Sequence, residues 1–81
     1  ADPGEPYVTE GYVLVSFDVS PVGQALNVSV LESEPSGFKD EATILSIERS
    51  RFRPRMLDGE MTTATGITRK YTFLYVPLSK Q

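Results

Sequence analysis

Apolar residues recur at every second position in three stretches of the chain and at helical spacing in a fourth. In "YVLVSFDV", residues 12–19, Val13, Val15, Phe17 and Val19 share one face, and Tyr12, Leu14, Ser16 and Asp18 share the other. Period two is the strand pattern, here with one strongly apolar face. "ALNVSVLES", 25–33, alternates again and sets Leu26, Val28 and Val30 on one side. Between the two lies "SPVGQ", 20–24, which is turn chemistry: Pro21 presets φ and Gly23 is free to take positive φ. The two runs therefore predict a β-hairpin.

"EPSGF", 34–38, stops the second strand and starts a helix. Ser36 is the expected N-cap, and Asp40 and Glu41 fall in the first turn, where acids favour the helix dipole. Ala42, Ile44, Leu45, Ile47 and Phe52 follow at helical spacing, and Pro54 cannot continue the helix, so it is predicted over 38–52. Residues 55–66 are a connection whose Asp58-Gly59 pair suits a small hairpin turn. "ITRKYTFLYV", 67–76, alternates Ile67, Arg69, Tyr71, Phe73 and Tyr75 against Thr68, Lys70, Thr72, Leu74 and Val76, and Pro77 ends it. Residues 1–10, with Pro3, Gly4 and Pro6, read as an irregular lead-in, 11–77 as the domain and 78–81 as a tail.

The order β-β-α-β constrains the topology. If the first strand runs up, its hairpin partner runs down, the helix returns along one face, and the last strand runs down again. Antiparallel pairing is then open to it only beside the first strand. The expected fold is α+β: a small antiparallel three-stranded sheet of order 2-1-3, with one main helix on the face of Val13, Val15, Phe17 and Val19. The expected core is Val13, Val15, Phe17, Val28, Ile44, Ile47 and Phe52.

Eighty-one residues make one small domain. The chain has neither Cys nor His, which removes disulfides, thiol nucleophiles, the usual neutral-pH general base and the commonest zinc ligand. No nucleophile–base pair stands out, so no enzyme activity, catalytic residue, metal or cofactor is expected. Arg49, Arg51, Arg53 and Arg55 are half of the eight Lys and Arg residues, in a chain of formal net charge −3. A nucleic-acid binder normally adds a basic surplus, so none is expected as a partner. "ERSRFRPR", 48–55, reads instead as a helix end, with Arg49 and Arg51 on the dipole, Arg53 and Arg55 in solvent and Phe52 in the core. Glu32, Glu34, Asp40 and Glu41 read as solvated acids. Asn27-Val28-Ser29 matches a glycosylation acceptor but lies inside a predicted strand.

Two long segments, "EGYVLVSFDVSPVGQALNVSVLESEPSG" and "DEATILSIERSRFRPRMLDGE", resemble the C-terminal domain of the TonB family. The shared pattern is a Glu-Gly, an alternating strand ending Phe-Asp-Val, a Pro-x-Gly turn, an Asn-Val strand, a Ser-x-Pro helix start and a basic-aromatic helix end with Pro. Ser50 stands where the family usually has Trp, and Val22 where an acid is common in the turn. "PYVTEG" stands where a Tyr-Pro and a short helix usually precede the Glu-Gly. The resemblance implies a periplasmic interaction domain, anchored in the inner membrane by a segment upstream of this chain. It implies coupling of the proton-motive force to outer-membrane transporters by strand addition of a transporter segment, the TonB box. On the matching edge strand the partner-binding residues would be Ile67, Thr68, Arg69, Lys70, Tyr71, Thr72, Phe73, Leu74 and Tyr75. A long edge strand also invites a second copy of itself. The alternative is therefore a scaffolding or homodimerisation domain, fused to other modules and working through the same edge.

Overall fold

Along residues 8–77, which the computed structural model describes, the chain runs β1 (Thr9–Val19), β2 (Ala25–Glu34), α1 (Asp40–Arg49), β3 (Arg55–Leu57), β4 (Glu60–Thr62) and β5 (Ala64–Tyr75). Most of the predicted lead-in, residues 1–7, and the 78–81 tail lie outside the described residues. The main sheet has the order β2-β1-β5 and both pairings are antiparallel, as the topology required. β1 starts earlier than the alternation indicated. Thr9 and Glu10 pair with Tyr75 and Leu74, so backbone pairing extends the strand past its apolar pattern. β3 and β4 form the predicted hairpin as a separate sheet, with positive φ at both Asp58 and Gly59. Two positive φ values are what a two-residue hairpin turn of the primed type requires.

The core forms on the predicted face of β1. Val13, Val15, Phe17 and Val19 are buried, and Ile47 of α1 and Ala25 of β2 join them. Val28, Val30, Phe52, Ile67, Tyr71 and Phe73 pack around this cluster. Two expectations need correction. Ile44 is only half-buried and does not join the cluster. Leu26 does not share a face with Val28 and Val30; it is exposed, because Asn27 adopts φ 54° and the β1–β2 register slips between Ser16 and Asp18. The extra residue of this bulge reverses the side-chain alternation and brings Ala25, not Leu26, to the core. A second slip, between Leu14 and Val15, leaves Leu31 exposed.

The helix is shorter than predicted: a local turn sets its start and a long-range contact its end. Ser36 is not its cap. Gly37 takes φ 78°, the Phe38 N–H closes a turn on the Pro35 carbonyl at 3.2 Å, and the cap position is Lys39, without a side-chain cap bond. At the other end Ser50 is extended, and the Phe52 N–H donates to the Gly23 carbonyl at 2.9 Å. Arg51 forms a single antiparallel bridge with Gln24, so only Arg49 lies in the last helical turn. The segment "RSRF" thus leaves the helix to pair with the β1–β2 turn. Phe52 still plugs the core as expected, its ring centroid 5.1 Å from that of Phe17. Gly23 has φ 86°, and a Cβ there would collide with the Phe52 carbonyl oxygen, so the turn and the helix exit depend on one glycine.

Candidate functional site

A three-stranded open sheet has two edges, and here they differ. β2 is interrupted by both bulges, and α1 packs beside it. Bulges blunt an edge, because they turn backbone groups out of line. β5 is uninterrupted against β1 from Thr9↔Tyr75 to Phe17↔Ile67, and among the described residues its outer side carries no further strand of this sheet. Its one irregularity lies upstream, where Gly66 (φ 66°) sits in a slip between Phe17 and Val19.

Asp18 holds this corner from the central strand. Its Oδ2 accepts from Asn27 Nδ2 at 2.9 Å, and its Oδ1 accepts from the Gly66 N–H at 3.0 Å. The two bonds, Asn27 first, hold the carboxyl below its usual pKa. One carboxylate therefore ties the bulge on β2 to the bulge on β5.

The nine predicted site residues divide between the two faces of β5. Ile67, Tyr71, Phe73 and Tyr75 are half-buried on the face that carries α1. Arg69 is in register with Val15 on that same face but is exposed. Thr68, Lys70, Thr72 and Leu74 stand exposed on the other face. There the Lys70 ammonium lies 4.6 Å from the Tyr12 ring centroid, and the Tyr12 hydroxyl donates to Glu32 Oε1 at 2.6 Å. That bond to Glu32, with partial desolvation, raises the Tyr12 pKa above its usual value. Arg69 and Lys70 are the only charged residues of β5.

The fold adds a feature that periodicity did not indicate. Phe38, from the turn before α1, lies against the end of β5, with ring centroids 5.8 Å from Phe73 and 5.7 Å from Tyr75. Lys39 Nζ stands 5.6 Å from the Phe38 centroid and 5.9 Å from that of Phe73. Pro35, Phe38, Tyr75, Val76 and Pro77 line an open groove of about 570 Å³. Gly11 makes room for this cluster. A Cβ there would lie 2.5 Å from the Glu34 carbonyl oxygen and 2.7 Å from the Phe73 ring. The "EG" of the sequence is thus the site where an aromatic ring crosses the central strand.

A family model described as Gram-negative bacterial TonB protein C-terminal matches residues 8–74. No curated protein matches the chain.

Proposed function

Because the chain belongs to the Gram-negative bacterial TonB C-terminal family, we propose that it takes up an extended segment of an outer-membrane transporter by strand addition along β5. The family is one of protein-interaction domains, not of enzymes, and belongs to the periplasm of Gram-negative bacteria. In this reading a segment upstream of residue 1 anchors the protein in the inner membrane, and the domain passes proton-motive work to the transporter.

The observation that carries the reading is the unbroken register of β5 over residues 67–75, set against the twice-bulged β2. Backbone bonds supply affinity for many partner sequences, and alternate side chains supply selectivity. Self-pairing through the same edge is the second reading. It is disfavoured by Arg69 and Lys70, since an antiparallel pair of identical β5 strands centred near these residues brings like charges together without an acid on the strand.

The test is titration of the isotope-labelled domain with a TonB-box peptide, alongside Arg69→Pro and Lys70→Pro variants. Both side chains are exposed, and donors alternate in direction along an antiparallel strand. One proline should remove an inward donor and destabilise the sheet. The other should remove an outward donor, leave the melt unchanged and abolish binding. Amide shifts gathered in residues 25–33 with 67–75 silent would move the docking edge to β2.

A further inference from the structure

A strand added along β5, as proposed, would not end at Tyr75 in empty solvent. Tyr75 is the last residue of β5 and also a wall of the groove formed with Pro35, Phe38, Val76 and Pro77. Residues directly opposite in paired strands point their side chains to the same face. A partner residue beside Tyr75 therefore presents its side chain on the α1 face, next to the Phe38 ring. Phe38 is 55% exposed, although its ring already packs on Phe73 and Tyr75, so one aromatic surface stands open at that position.

The charge along β5 itself has one sign. Arg69 lies on it, Lys39 borders the aromatic cluster, and no acid occurs from Ala64 to Pro77. The side of the partner that faces α1 should then carry an acid opposite Arg69 and a large apolar or aromatic residue opposite Tyr75. These positions are six residues apart whichever way the partner strand runs, roughly 20 Å at the usual strand rise.

We infer that the groove is an anchor pocket for one aromatic or large aliphatic side chain of an extended acidic segment, six residues from the partner acid that meets Arg69. This rests on strand addition along β5 and adds the chemistry of the segment that fits there. The groove's volume is within the range of clefts that enclose small organic groups, and its walls are mostly apolar.

The probes are two seven-residue peptides, Glu-Ser-Val-Ser-Val-Ser-Phe and its reverse, each with a counterpart in which Phe is replaced by Ala. They are titrated into the labelled 81-residue chain. In the favoured orientation the Phe peptide should bind about tenfold tighter than its Ala counterpart, the scale of one buried aromatic contact. Phe38→Ala, which truncates a half-exposed ring and should fold normally by circular dichroism, should erase that ratio. Arg69→Glu should weaken the Glu peptide and strengthen one carrying Lys in its place. Equal affinity of the Phe and Ala peptides, or a ratio that survives Phe38→Ala, would overturn the anchor pocket while β5 amide shifts kept the strand reading intact. Shifts at Phe38 and Val76 with 67–73 silent would refute strand addition and, with it, the spacing from Arg69 that defines the anchor. Silence at both places would refute both.

Discussion

Truncation of Phe17 to Ala tests the fold at its centre. Phe17 is fully buried on the middle strand, and its ring meets that of Phe52 at an interplanar angle of 43°. Removing a buried aromatic ring loses transfer free energy and leaves a cavity, together about 3–5 kcal/mol. A domain of this length has about 4–12 kcal/mol in total. Phe17→Ala should therefore leave the protein barely folded at 25 °C. Urea unfolding followed by far-UV circular dichroism measures it. With a slope near 1 kcal/mol/M, typical of a small domain, the midpoint should fall by about 3–5 M or lose its native baseline. The Phe17→Ala/Phe52→Ala double variant should be non-additive by about 0.5–1.5 kcal/mol, the worth of an aromatic pair beyond its area. Ile44→Ala is the contrast. Its side chain is half-buried, so the loss should fall below the 2–5 kcal/mol of a fully buried site. A Phe17→Ala midpoint within 0.5 M of wild type, or Ile44→Ala the more damaging of the two, would refute the placement of the core on this face of β1.

Gly11→Ala should destabilise by about 1–3 kcal/mol in the same assay, since the new methyl meets a strand carbonyl and the Phe73 ring and one of them must shift. Asp18→Ala should show a pH-dependent deficit. The carboxyl has a lowered folded-state pKa, so its stabilisation is present above the unfolded value near ~3.9 and is lost as pH falls through the folded value. The melting-temperature gap between wild type and Asp18→Ala should be full at pH 7 and narrow toward pH 3; a constant gap would show that the charge of Asp18 is not what holds the two bulges.

The topology was legible because period-two alternation, one Pro-x-Gly turn and one helical stretch leave few arrangements of three strands. The buried face of β1 was legible for the same reason. What escaped was set by contacts distant in sequence. Asn27 in a left-handed conformation reverses the face of Leu26, and nothing local to "ALNVSV" announces it beyond the tolerance of Asn for that region. The helix loses its last predicted residues because Phe52 bonds to Gly23, 29 positions earlier. The candidate site was half visible. Regular alternation marked residues 67–75 as an edge strand, whereas Phe38 looked like a first-turn helix residue and became part of an aromatic cluster only through the return of β5.

The unbroken β1–β5 ladder has a mechanical consequence. Its nine consecutive pairs lie in one register, and antiparallel hydrogen bonds run perpendicular to the strands. A pull directed along β5 meets all of these bonds side-on and strains them together, so the strand resists as a unit. A pull across the sheet opens them one pair at a time from an end, at far lower force. A partner strand laid on the outer side of β5, as proposed, would inherit the same anisotropy: it would hold while tugged lengthwise and peel away when the direction of tension turns.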